Sequence, residues 1–280
     1  MQKILVPRFT WTRLKRLSLM TFGVAGLLLL LPRTPMAEVI YKTGFEAPIF
    51  TAGQPVAGQD GWTSRLGSNA GTVSTNNPAS GQQALEFRGE QLPEFGFGFN
   101  LETVRKFLDY NVAAAGAHAV RVGVDVRLNG ASLRDDVVEA IFSAIDPNFV
   151  DYGQMQISAN GRLYIYGSQF VDALDIAVSL NAYHRLEMLI DFAGRETTFT
   201  VDGADIVTFA FDPSLQSTVF RAGSLHMAVP TDPLLADPTG YAAYFDNLQV
   251  EAIPEPAAWA LMVAGLLMLS HVRRSLARRA

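Results

Sequence analysis

Between residues 38 and 253 apolar side chains recur at every second position along most of the chain. In "HAVRVGVDVRL", Val120, Val122, Val124, Val126 and Leu128 fall on one face, with Arg121, Asp125 and Arg127 on the other. That is the period of a strand with one side buried. "HRLEMLIDF" repeats it, setting Leu186, Met188, Ile190 and Phe192 against Arg185, Glu187 and Asp191. "ETTFTV" follows Ala193-Gly194-Arg195 and "DGADIVTFAF" opens on Asp202-Gly203, both hairpin signals; Asn160-Gly161 is a third. Further strand-like runs are "EVIYKTGFE", "QALEFRG", "EFGFGFN", "EAIFSAI", "GQMQISA", "RLYIYGS", "SLHMAV" and "YAAYFDNLQVEA". Leu101 to Tyr110 and part of Val171 to Leu180 read as helical or irregular. Ala47 to Ser80, rich in Gly, Pro, Ser, Thr and Asn, reads as long surface loops. No βαβ alternation and no internal repeat is visible. The pattern predicts an all-β, antiparallel β-sandwich forming one domain over 38–252.

The two ends have another pattern. Arg8, Arg13, Lys15 and Arg16 precede an apolar run from Leu17 to Leu31, and Pro35-Met36-Ala37 supplies a small residue before a cut. This predicts a signal peptide over 1–37 and export of the chain from residue 38 onward. Ala257 to Val272 is apolar, somewhat short of the ~20 residues that span a bilayer comfortably, and Arg273, Arg274, Arg278 and Arg279 come after it. A transmembrane helix over 257–272 with its basic tail in the cytoplasm is expected. Pro254-Glu255-Pro256, just before that run, is expected to hold an extended, solvated backbone outside the preceding sheet.

Composition sharpens this picture. Of the 22 Lys and Arg and 27 Asp and Glu, residues 38–253 hold 12 and 26, a formal net charge of −14. So acidic a body repels phosphate backbones, which argues against nucleic acid as a partner. The chain has no cysteine, which excludes disulfides, a thiol nucleophile and a Cys-ligated zinc.

These residues carry two resemblances. Pro254-Glu255-Pro256, the apolar run from Ala257 and the arginines Arg273 and Arg274 together resemble the PEP-CTERM sorting signal of Gram-negative bacteria, covering the last ~27 residues (253–280). The resemblance implies an exosortase as partner and transient anchoring in the inner membrane. Its further implication is display at the surface or in the extracellular matrix of a bacterium that makes exopolysaccharide. "YHRLEMLIDFAGRETTFTVDGADIV", Tyr183 to Val207, resembles the laminin-G/concanavalin A-like jelly roll. "GFEAP" at Gly44 to Pro48 and "YFDNLQV" at Tyr244 to Val250 then read as first and last strands meeting in one sheet.

Candidate chemistry is sparse. The Glu-x-Asp-x-Glu strand of laminarinase-like glycosidases is absent; Asp135-Asp136-Val137-Val138-Glu139 has the wrong spacing, and no Gly-x-Ser-x-Gly elbow occurs. The body contains His118, His184 and His226, of which His118 and His184 fall at strand starts and read as structural. Jelly-roll modules often hold a calcium where first and last strands meet, which makes Glu46 and Asp246 its candidate ligands. Trp62, in the loop "GQDGWTSRLGS", is the candidate sugar-stacking residue, while Tyr152, Tyr164 and Tyr166 lie near a hairpin. The expectation is a non-catalytic envelope or matrix protein that binds polysaccharide. A polysaccharide-active hydrolase or lyase with an unrecognised site is the alternative, and a purely structural matrix protein a third.

Overall fold

The computed structural model describes residues 37–96, 98–130, 138–167, 176–231, 238–255 and 265. The expected signal peptide lies outside the described residues apart from Ala37, and the expected span 257–272 lies outside them apart from Gly265. Pro256, Arg273, Arg274 and the Asp135-Asp136 pair are also outside. No helix among the described residues is long and apolar enough to cross a membrane. Residues Ala37–Glu255 form one compact unit that holds every described strand.

The strands, numbered in chain order, build two antiparallel sheets. The first contains β1 (Glu38–Thr43), β3 (Gly71–Ser74), β4 (Ala84–Arg88), β7 (Ala117–Asn129), β11 (His184–Asp191), β12 (Glu196–Val201), β13 (Ala204–Ala210) and β15 (Ala242–Pro254). They run in the order β13-β12-β11-β7-β15-β4-β3, with β1 paired to the far half of β15. The second contains β2 (Trp62–Ser64), β5 (Glu94–Gly96), β6 (Phe99–Asn111), β8 (Glu139–Ile145), β9 (Asp151–Ser158), β10 (Leu163–Tyr166) and β14 (Val219–Pro230). Their order is β10-β9-β8-β14-β6-β2, with β5 on the edge of β6. First and last strands do meet, from Glu38 opposite Ala252 to Thr43 opposite Leu248. The first strand ends at Thr43, however, so Gly44 to Pro48 follows it as non-strand backbone and is not itself the first strand.

The core is where the inner faces of the two sheets meet. Val120, Val122, Val124 and Val126 of β7, and Leu186, Met188 and Ile190 of β11, face Phe142, Met155, Leu225 and Met227 of the second sheet, all fully buried. Each such side chain contributes roughly 1.5–3 kcal/mol relative to an exposed one, so the alternation seen in the sequence is the main determinant of which way each strand faces. At Gly153 of the second sheet there is no room for a side chain against the first: an added Cβ would stand 2.5 Å from Phe199 Cζ and 3.1 Å from Met188 Sδ.

Three local expectations are corrected. Leu101 to Tyr110 is neither helical nor irregular but the middle of β6. Its alternation is masked because the strand turns charged side chains inward. Glu102 is fully buried, and its carboxylate accepts from Ser64 Oγ at 3.0 Å, from Ser68 Oγ, and from the Thr103 N–H at 2.7 Å. Lys106 lies over the Tyr41 ring, 4.6 Å from its centroid, and pairs with Asp60 at 3.2 Å. Next, the stretch Ala47 to Ser80 is not all surface loop: β2 and β3 lie within it, and Phe50, Val56 and Trp62 enter the core. Finally, Pro254 does join the sheet, as the last residue of β15 opposite Ala117. A proline at a strand end still offers its carbonyl, which here lies 3.0 Å from His118 Nδ1, and the Glu255 N–H donates to Gly116 O at 3.3 Å.

Candidate functional site: the outer face of the second sheet

In an antiparallel sheet, residues directly opposite one another share a face. Across the second sheet one such row runs Ile165, Met155, Phe142, Leu225, Val104, and all five are in the core. The rows on either side of it must therefore point away from the core. One reads Tyr166, Gln154, Ser143, Ser224, Arg105, Thr63 from β10 to β2. The other reads Tyr164, Gln156, Ile141, His226, Thr103 and ends at Arg65, whose N–H donates to Thr103 O at 2.9 Å. Both rows are almost wholly polar or aromatic. Ser143, Ser224, Thr103 and Gln156 are buried although they face outward, so they form the floor of this face beneath its larger side chains.

His226 sits at the centre of this floor, partly exposed. Its Nδ1 lies 3.0 Å from Thr103 Oγ1 and its Nε2 lies 3.2 Å from Ser143 Oγ. Burial, reinforced by the cations Arg105 and Arg65, pushes its pKa down from 6.5 to about 3. The ring is thus neutral at ordinary pH, one nitrogen donating and the other accepting. Arg105 is itself pushed below its usual pKa, by burial first and then by Arg65 and Arg221, with Asp151 acting the other way. Chemically the face offers amides, hydroxyls, two tyrosine rings, a neutral imidazole and guanidinium groups. It also carries the carboxylates of Asp151, beside Ser143 and Arg105, and of Glu139, beside Gln156. The set is suited to holding a hydroxyl-rich ligand by many directed hydrogen bonds.

The residues anticipated from the sequence lie elsewhere. Trp62 is 1% exposed, packed against Phe45 with ring centroids 5.5 Å apart, and turned into the core from β2. Its indole N–H donates to the Tyr41 hydroxyl at 3.0 Å, which donates to Asp60 Oδ2 at 2.7 Å. The ring offers no face to a sugar. Tyr152 is likewise buried, its hydroxyl donating to the carbonyls of Ser217 and Val219 at 3.2 and 3.1 Å. His184 is held by Asp202 at 2.8 Å and by Ser179, and His118 by the Pro254 carbonyl. Tyr164 and Tyr166 do share one face, the outer one.

Glu46 and Asp246 are brought to the same end of the sandwich, both close to Gly44: a Cβ added there would stand 3.3 Å from Asp246 Oδ1 and 3.6 Å from Glu46 Cγ. Asp246 Oδ2 accepts from the N–H groups of Ala79 and Ser80 at 2.9 and 3.0 Å, and its Oδ1 accepts from Asn247 N–H at 2.7 Å. Glu46 Oε1 accepts from Gln82 and Gln83 N–H at 2.7 and 3.0 Å. Burial pushes the Asp246 carboxyl up to about 6 against those three hydrogen bonds. Among the described residues no group of three or more His, Asp or Glu is placed to hold a metal ion.

No protein-family model and no curated protein matches the chain. Among solved structures it is similar to an endo-1,3-beta-glucanase from Streptomyces sioyaensis, with TM-score 0.54 and 16% identity over 80% of this chain and 99% of that one. It is also similar to a carbohydrate esterase from Shiga toxin-encoding bacteriophage phi24B, with TM-score 0.51 and 14% identity over 78% and 100%. A winged bean acidic lectin complexed with methyl-alpha-D-galactose matches with TM-score 0.49 and 8% identity over 79% and 100%. At these identities the likeness is one of architecture: the chain folds as an all-β, antiparallel, jelly-roll-like sandwich.

Proposed function

We propose that the chain is an exported protein of the cell envelope or extracellular matrix whose sandwich binds polysaccharide without catalysis, through the outer face of the second sheet. One observation carries this reading: the two outward rows running from Tyr164 and Tyr166 to Arg65 and Thr63 place amides, hydroxyls and aromatic rings side by side across six strands. The fold shared with a glucanase and a carbohydrate esterase is compatible with it. The unit Ala37–Glu255 contains all the described strands and their core, and is the piece to immobilise and probe with a panel of polysaccharides. Retention that is lost in Gln154→Ala/Gln156→Ala supports the proposal; no retention by any polysaccharide overturns it.

The alternative, a polysaccharide hydrolase or lyase, draws on His226, a neutral imidazole beside Arg105 and within reach of Ser143 and Thr103. Release of reducing ends or of unsaturated products from a retained polysaccharide would favour it.

The tail is proposed as the address. Pro254, Glu255 and Pro256 with Arg273 and Arg274 would be read by an exosortase after export, the basic end remaining on the cytoplasmic side of the inner membrane. Replacing Pro254 and Pro256 together by alanine in a host with an exosortase should leave the chain in the membrane fraction; unchanged release would count against sorting.

A further inference from the structure

Three arginines gather on the outer face of the second sheet and its rim, each against an aromatic ring. Arg105 lies 5.1 Å from the centroid of Phe149. Arg221 lies 4.7 Å from Phe149 and 5.0 Å from Phe107. Arg65, just past β2, lies 5.2 Å from Phe95. Stacking of this kind fixes the plane of a guanidinium while leaving its N–H edge free to donate.

That edge is under-used. Arg105 Nε is buried and has no hydrogen-bond partner, nor has Arg221 Nε, whose neighbour Asp109 Oδ1 stands 3.6 Å away. Ser224, 0% exposed and directly opposite Arg105 in the sheet, has a hydroxyl without a partner too. A buried donor left unpaired costs roughly 1–3 kcal/mol, and here several such donors lie beneath one face of the sheet. Arg221 already has Asp109 and the Pro147 carbonyl as partners and Asp151 acts on Arg105, while Arg65 and Arg105 still repel one another. A neutral sugar could satisfy some donors with hydroxyl oxygens but would not relieve that repulsion. A carboxylate satisfies two N–H groups of one guanidinium at once and neutralises the charge.

We propose that this face binds a carboxylate-bearing polysaccharide, a polymer of uronic acids, with a carboxylate seated on Arg105 and Arg65 and sugar hydroxyls on Gln154, Gln156 and Ser143. The proposal rests on the saccharide-binding reading above and adds the charge of the ligand. Six strands at a spacing of ~4.8 Å make a track ~24 Å across, long enough for several sugar rings lying across the strands. Because residues 38–253 carry a formal net charge of −14, a polyanion is repelled at long range. Retention must then come from these local contacts and not from a general basic surface.

The test uses the full chain and two forms of one polymer, polygalacturonate and the same polymer with its carboxyl groups reduced to alcohols. Polygalacturonate should bind at least about tenfold more tightly than the reduced form. Arg105→Gln should remove that preference and Arg105→Lys should restore part of it, while Arg121→Gln on the other sheet changes nothing. A thermal scan of each variant identifies any that fails to fold, and the wild-type comparison decides the matter alone if one does. Equal binding of the two polymers overturns the carboxylate assignment and leaves saccharide binding standing. Failure of both polymers, together with every neutral polysaccharide of the panel, overturns both.

Discussion

His226 and Thr103 face each other across the β14–β6 pair, with Nδ1 3.0 Å from Oγ1, although 123 positions separate them in the chain. Their contact lies on the outer row that runs from Tyr164 of β10 to Thr103 of β6, and the burial of His226 gives the stability of the protein a pH signature. The folded-state pKa of His226 is lowered from 6.5 to about 3, mainly by burial. The unfolded chain therefore takes up a proton between those values that the folded one refuses. The stability this histidine contributes is complete above pH 6.5 and is lost as pH falls towards 3. His226→Gln, which keeps hydrogen-bonding capacity without titrating, should flatten the fall in unfolding free energy over that window, measured by urea titrations at several pH values.

Asp246 acts in the opposite sense. Burial raises its carboxyl from 3.8 to about 6, so its contribution is complete below pH 3.8 and is lost as pH rises through 6. Between about pH 4 and 6 the two residues offset each other. Asp246→Asn should unmask the histidine, giving a variant whose stability climbs with pH across this interval more steeply than that of the wild type. Parallel curves for variant and wild type would show that Asp246 titrates normally in the folded state.

The same carboxylate and Glu46 clamp residues 79–83 through the N–H groups of Ala79, Ser80, Gln82 and Gln83. Removing the Asp246 acceptor leaves the Ala79, Ser80 and Asn247 donors unpaired, each costing about 1–3 kcal/mol where it stays dry. Asp246→Ala should lower the Tm by several degrees. If the clamp alone holds this end of the sandwich, a chelator leaves the wild-type Tm unchanged. A Tm that falls with chelator and returns with calcium would place a cation between Glu46 and Asp246.

Trp62 is the sole tryptophan of residues 37–255, which makes it a probe. Its ring is buried and faces away from the outer rows, so the fluorescence of this unit should be blue-shifted, poorly quenched by acrylamide, and unchanged when saccharide binds. Trp62→Ala should cost about 3–5 kcal/mol of stability, as loss of a buried aromatic does. A spectral change on saturation with ligand would bring the binding face to this side of β2.

The fold could be read from the sequence where alternation was clean. β7 and β11 bury Val, Leu, Met and Ile on one side and expose charge on the other, and the Ala193-Gly194-Arg195 and Asp202-Gly203 turns join the strands they were expected to join. β6 was hidden because an inward Glu102 and Lys106 break its pattern, and their partners in the 60–68 segment are remote in sequence. The face proposed to bind saccharide was hidden for another reason. Gln154, Gln156, Ser143, Ser224 and His226 stand at the polar positions of strands whose apolar positions were plain. What makes them one surface is strand order, which places β14 between β8 and β6, and no local pattern encodes that order.

Gly153 tests the packing beneath that surface. It lies on β9 next to Gln154, but on the inner side, where an added Cβ would meet Phe199 Cζ at 2.5 Å and Phe199 Cε1 at 2.7 Å. Real Cβ atoms do not approach that closely, so the aromatic ring or the strand must move, and overpacking of this sort costs about 1–3 kcal/mol. Gly153→Ala should therefore destabilise by that amount in chemical unfolding. If the strand yields and the ring does not, β9 shifts outward with Gln154 and Gln156, and saccharide affinity falls alongside stability. The double variant with Phe199→Leu, which clears the space, should recover both; recovery of stability without affinity would show that Gln154 and Gln156 do not touch the ligand.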